Sequence, residues 1–190
     1  MQTKVRILGI VGSPRQKGNT NCLVDEVLRG AATMGAGVEK VQLDAKKIKL
    51  CQGCDQCHKT GACRYDDDMK DLITLMKESD IWVLGTPVYW WGPTALMKKF
   101  IDRWYQDYEG LQACGKKKVI LVIPYADNDP TTASHTIGMI RSALNWLDKE
   151  ISAVIEGSGL SARSDAEHDV NLLSRCFYVG IQTVKDLLAD

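Results

Sequence analysis

The sequence predicts an α/β fold: a five-stranded parallel sheet, doubly wound, between two layers of helices. Five short apolar, β-branched runs recur along the chain, and helical patterns fill the gaps between them. Strand–helix alternation of this kind requires crossover connections, which in one sheet means parallel strands with helices on both faces. The first run is Lys4–Val11, closed by Gly12. The second, Val38–Leu43, alternates apolar and polar residues. The third, Ile81–Leu84, continues towards Tyr89, and the fifth, Ile151–Ile155, is closed by Gly157 and Gly159. The fourth, Val119–Ile123, is continuously apolar, as a strand covered on both faces should be.

The helices follow from the same reading. Thr20–Met34 places Leu23, Val27 and Leu28 on one stripe and stops at Gly35 and Gly37. Met69–Lys77 begins after Asp66-Asp67-Asp68, carboxylates that cap a helix and complement its dipole. Thr94–Tyr108 starts behind Pro93, and Ala133–Lys149 and Asp165–Leu188 complete the set. Within the third of these, Lys98, Lys99, Asp102 and Arg103 read as a solvated or subunit-facing surface. No repeat, low-complexity tract or linker interrupts the pattern. Residues 1–190 therefore read as one domain, carrying a cysteine-rich loop at 46–66.

Composition narrows the function. With 24 Lys+Arg against 24 Asp+Glu, the chain lacks the basic excess that a nucleic-acid partner favours. No run approaches the roughly 18 apolar residues of a membrane span. The charged start Met1-Gln-Thr-Lys-Val-Arg-Ile leads straight into a strand pattern and reads as no signal peptide. Seven cysteines without such a signal point to a reducing, cytoplasmic setting, where thiols bind metal or do redox chemistry.

Three motifs carry chemistry. After the first strand comes Gly12-Ser13-Pro14-Arg15-Gln16-Lys17-Gly18-Asn19-Thr20, a turn running into a helix N-terminus. Such a turn presents backbone amides and a positive dipole end to an anion. Arg15 adds a cation, and Ser13, Asn19 and Thr20 add side-chain hydrogen bonds. Gly18 is not followed by Lys-Ser/Thr, and Gly9-Ile-Val-Gly12 lacks the Gly-x-Gly step, so one terminal phosphate fits better than a di- or triphosphate. The third strand ends in Thr86-Pro87-Val88-Tyr89-Trp90-Trp91-Gly92-Pro93, whose three aromatics cannot all face a core. They make a wall on which a flat ring stacks. With strand order 2-1-3-4-5 the two loops meet at the switch point of the sheet, where flavodoxin, the standard example of this order, holds FMN. Tyr125-Ala126-Asp127-Asn128, after the fourth strand, falls on the same rim.

The third motif is Cys51-x2-Cys54-x2-Cys57-x5-Cys63, whose spacing lets thiolates converge on one inorganic centre. A 4Fe–4S cluster held by Cys51, Cys54, Cys57 and Cys63 leads. Zinc in a four-sulfur site and reduced thiols for packing or redox exchange stay open. Cys22, Cys114 and Cys176 read as small apolar residues, and His58 as a solvated loop residue.

Taken in order, Gly-Ser-Pro-Arg…Gly-Asn-Thr, the cysteine motif with Asp-Asp-Asp-Met, Thr-Pro-Val-Tyr-Trp and Lys-x-Phe-Ile-Asp-Arg resemble the NADPH-dependent FMN reductase family, and within it the iron–sulfur flavoproteins. The resemblance covers roughly residues 4–125, and the rest in strand–helix order alone. It implies a flavodoxin-like fold and an oxidoreductase that passes electrons from NAD(P)H or a redox protein to an acceptor. It places phosphate contacts at Ser13, Arg15, Asn19, Thr20 and Asn21, and the isoalloxazine loop at Pro87, Val88, Tyr89 and Trp90. It also implies a homodimer or homotetramer. The alternatives are an FMN electron carrier without turnover and a zinc-stabilised binding module.

Overall fold

The computed structural model describes residues 5–189; Lys4, the expected start of the first strand, lies outside the described residues. Strands β1 (Arg6–Val11), β2 (Gly37–Gln42), β3 (Ile81–Gly85), β6 (Lys118–Pro124) and β7 (Glu150–Gly157) form one five-stranded sheet in the order β2-β1-β3-β6-β7. Every pairing in it is parallel. This is the 2-1-3-4-5 order expected from sequence. Two further strands, β4 (Val88–Tyr89) and β5 (Gly92–Pro93), make a small antiparallel hairpin beyond β3, where sequence suggested a mere continuation.

The pleat sorts the apolar residues into two cores. Ile7, Val11, Ile81, Val83, Ile120 and Val122 face α1 (Asn19–Thr33) and α8 (Val170–Ala189). Leu8, Ile10, Trp82, Leu84 and Leu121 face α3 (Met69–Glu78), α4 (Ala95–Asp102) and α6 (Ser134–Trp146). Because both faces are covered, the central strands read as unbroken apolar runs. On the α1/α8 side the two helices touch backbone to backbone: a Cβ on Gly180 would lie 2.1 Å from the Val27 carbonyl oxygen.

Two expected helices are divided. The stretch 94–108 ends as helix at Asp102 and passes through a 3-10 turn, Arg103–Asp107, into α5 (Tyr108–Ala113). Arg103, at the break, is 1% exposed and paired with Asp67 rather than lying on a solvated surface as expected. Likewise 165–188 splits at Asp169 into α7 (Asp165–His168) and α8, because the Asp169 carboxylate accepts from Leu172 N and caps the second helix. A short helix inside the cysteine loop, α2 (Gln56–Thr60), was not foreseen.

Gly180→Ala should lower stability by about 1–3 kcal/mol in urea unfolding, since backbone cannot yield. Gly138→Ala, in α6 with nothing within 4 Å of the new methyl, should instead raise it by about 0.4–1 kcal/mol.

Candidate functional site

At the carboxyl edge of the sheet, the loops after β1 and β3 are sewn together. Gly12 N donates to Gly85 O at 2.7 Å. Thr94, buried at the N-cap of α4, donates its hydroxyl to Gly12 O and accepts from Met97 N. The Thr86 hydroxyl accepts from Thr94 N at 3.1 Å. Gln42, at the end of β2, donates to Ser13 O at 2.8 Å and fixes the turn from the other side.

Between these loops lies a cavity of about 140 Å³ whose walls include Ser13, Arg15, Gly18, Asn19 and Thr20 on one side and Pro87, Val88 and Tyr89 on the other. Pro124 and Tyr125 close it from β6, and Leu160 and Ser161 from the loop after β7. The N-cap of α1 is Gly18, so no side chain caps the amides of its first turn. Those amides, the Arg15 guanidinium and the hydroxyls of Ser13 and Thr20 on the cavity wall are donors of the kind an anion takes. Ser13 and Thr20 are buried and Arg15 is exposed.

Most of the residues singled out from sequence gather here, with three differences. Asn21 is buried behind the turn rather than in the cavity, and its amide donates to Arg15 O at 3.1 Å. Asn19 lines the cavity but spends its side chain on the far loop, donating to Leu160 O and Ala162 O and accepting from Ala166 N. Trp90 is 91% exposed and lines an adjoining cavity of about 230 Å³ with Val88, Trp91, Tyr125 and Asp127. Trp90 and Trp91 form the tip of the β4–β5 hairpin with φ of 49° and 59°. A two-residue tip in that conformation suits Asn-Gly, and costs a bulky residue about 1–2 kcal/mol. Such strain gathers where a side chain is needed in place. Tyr125 is 5% exposed, and burial together with the neighbouring Glu156 carboxylate pushes its phenol up.

Sequence reading missed Thr94, Thr86, Gln42, Leu160 and Ser161. A threonine one residue before a helical run is a legible N-cap. The others act through contacts between distant parts of the chain.

The four loop cysteines lie around a second, small void of about 20 Å³, walled also by Arg103, Tyr105 and Gln106. Cys51 and Cys54 are exposed, while Cys57 and Cys63 are half-buried. Among the described residues, no three His, Cys, Asp or Glu are placed to hold a metal ion. The void has room for about one water. Four cysteine thiols on one loop match in kind the donor set of an iron–sulfur centre, and two of them are exposed. Burial pushes the Cys57 thiol up, unlike an activated nucleophile. Cys176 is buried and pushed up to about 12, as a packing residue should be. His58 is wedged against Tyr105 and Tyr108, with ring centroids at 4.6 and 5.1 Å. Tyr105 in turn donates to Asp55 at 2.8 Å, clasping the loop to the 3-10 turn.

A larger groove, about 650 Å³, runs beside this loop between Trp104, Tyr105, Tyr108 and Trp146. Its one ionised lining residue is Asp102, the wrong sign for a phosphate.

The fold is that of a flavodoxin-like α/β protein with a crevice at its switch point. Residues 5–155 match the NADPH-dependent FMN reductase family. An iron-sulfur flavoprotein of Methanocaldococcus jannaschii is 31% identical over 188 residues, which is 96% of this chain and 93% of that protein. One from Archaeoglobus fulgidus is 44% identical over 99 residues, 52% of this chain but 45% of the relative's length. Among solved structures, an NAD(P)H:quinone oxidoreductase from Methanothermobacter marburgensis shares the fold with a TM-score of 0.77 at 13% identity, covering 95% of this chain and 96% of that one. The chain belongs to the NADPH-dependent FMN reductase family.

Thr94→Val keeps the side chain's shape but removes the cap and the bond to Gly12 O. It should cost about 1–2 kcal/mol in urea unfolding.

Proposed function

We propose that residues 1–190 act as one FMN-binding domain whose flavin sits in the crevice between the β1 and β3 loops. The observation that carries this reading is the uncapped α1 N-terminus, with Ser13, Arg15 and Thr20 facing Pro87, Val88 and Tyr89 across one cavity. In it the terminal phosphate is held by Ser13, Arg15, Thr20 and the first-turn amides. Asn19 holds the wall formed by Leu160, and Asn21 holds the turn itself. Tyr89 and Trp90 would hold the ring, with Tyr125 on the same rim. When bound, the flavin supplies the hydride and electron chemistry, so the protein needs no acid or base of its own. Its residues bind, orient and leave one ring face open to a donor.

The donor is NAD(P)H or a redox protein, and the protein is a cytoplasmic homodimer or homotetramer. No helix among the described residues is long and apolar enough to cross a membrane. The described cysteines are all free, as a reducing setting requires. Cys51, Cys54, Cys57 and Cys63 would hold a 4Fe–4S cluster, which when bound would supply one-electron chemistry beside the flavin. The four-thiol donor set supports this in kind, as do the iron–sulfur names of the two relatives.

FMN should bind far more tightly than riboflavin in a fluorescence titration. Arg15→Ala should narrow that gap by roughly 1.5–3 kcal/mol through loss of a charge-assisted bond. Equal affinities for FMN and riboflavin in the wild type would remove the phosphate cradle. For the second centre, anaerobic protein reconstituted with iron and sulfide should carry about four irons per chain. Cys54→Ala should lose the iron and keep FMN, because the two sites lie on different loops. Zinc alone, or no metal, in the reconstituted wild type would leave a plain FMN protein.

A further inference from the structure

We propose that Arg103 is a positioning residue of the cysteine centre: it holds Cys63 and donates a hydrogen bond to its sulfur, making the cluster easier to reduce. The inference rests on the iron–sulfur reading above and adds to it a residue outside the cysteine motif.

Arg103 Nη2 lies 3.4 Å from Cys63 Sγ, within the range of an N–H···S hydrogen bond. The guanidinium is locked in that pose from several directions. Both oxygens of Asp67 accept from it, at 2.7 and 3.1 Å. Lys49 O accepts at 2.8 Å and the Gln106 side chain at 2.7 Å. The Tyr65 ring lies 5.5 Å from the guanidinium carbon. Arg103 is 1% exposed, the Asp67 side chain is 4% exposed, and Nε has no acceptor among the described atoms.

Burying such a pair is expensive, and apolar replacements are often as stable, so stability alone is a weak reason for it. Nor does the site suit a lysine. One ammonium cannot meet a bidentate carboxylate, a carbonyl, an amide oxygen and a sulfur in separate directions, whereas the rigid guanidinium fork does. What the pose achieves is a fixed guanidinium edge against one cysteine sulfur, with the two hydrogens of Nη2 shared among Gln106, Asp67 and Cys63. A donor there stabilises added negative charge, and hydrogen bonds to ligand sulfurs are a main control on cluster potential. The step affected is the entry of one electron into the cluster, with no bond made or broken. Asp67 sets the aim of the fork and offsets its charge. Arg103 sits where α4 gives way to the 3-10 turn Arg103–Asp107.

Two variants separate this role from mere packing. Arg103→Met with Asp67→Asn removes the donor while leaving the net charge unchanged, and Asp67→Asn alone keeps the donor and removes the offsetting charge. Each is reconstituted anaerobically with iron, sulfide and FMN, and read for iron per chain and for cluster midpoint potential by equilibrium titration with dithionite. The double variant should bind less iron or show a more negative potential than wild type. Asp67→Asn should shift the potential the opposite way. Full iron loading with an unchanged potential in the double variant overturns the proposal. If the double variant does not fold, Asp67→Asn alone decides, and an unchanged or lowered potential overturns it. Failure of the wild type to take up iron sinks the cluster reading itself, and this inference with it.

Discussion

The arrangement depends on how closely the ends of β1 and β3 approach. Gly12 N reaches Gly85 O at 2.7 Å, and neither position has room for a side chain. A Cβ on Gly85 would sit 2.5 Å from Val24, and one on Gly12 2.8 Å from Met97. The strands are neighbours in the sheet, yet their crossovers leave to opposite faces, α1 on one side and α4 on the other. Their loops must therefore part just beyond the closest contact, and the gap between them is the crevice. Thr94 spans the point of divergence, tying the N-cap of α4 to the Gly12 carbonyl. With that junction fixed, the first turn of α1 points its amides into the gap and the strained Trp90-Trp91 tip stands over the neighbouring cavity.

The cysteine loop is built on another principle. It has almost no core of its own and is held by carboxylates from the start of α3. Asp68 accepts from Lys47 N and Asp67 from Lys49 N, so the acidic run splints the loop. Asp67 also accepts from Met69 N, while Asp68, at the N-cap of α3, makes no side-chain cap bond, unlike the capping expected from sequence. Burial alone would push the Asp67 carboxyl up, but Arg103 and the Lys49 amide outweigh it and hold the group below the usual range. The result is a loop anchored at its two ends, with Cys51 and Cys54 left at the surface.

Much of this was legible because local rules and the global fold agree. Continuous apolar runs gave the buried strands, and glycine-closed stripes gave the helices. The Gly/Ser composition of the turn after β1, ahead of a helix, marked it out, and its residues do line the crevice. What stayed hidden depends on contacts across long sequence separations. Arg103 looks like a surface residue of an amphipathic helix until Asp67, 36 residues away, is seen beside it. Asn21 shares a motif with Asn19 and Thr20, but the helical turn carries it behind the loop, where it supports Arg15. Leu160 and Ser161 line the cavity because the β7 loop folds back over Asn19. No local pattern marks them.

The central claim is that the flavin occupies the β1/β3 crevice and not the larger apolar groove beside Cys51. A crystal structure of the protein with FMN tests it most directly. The account predicts phosphate density against Ser13, Arg15, Thr20 and the first-turn amides of α1, with the ring running towards Tyr89. Flavin density in the groove between Trp104, Tyr108 and Trp146, with the cradle free of phosphate, would contradict it.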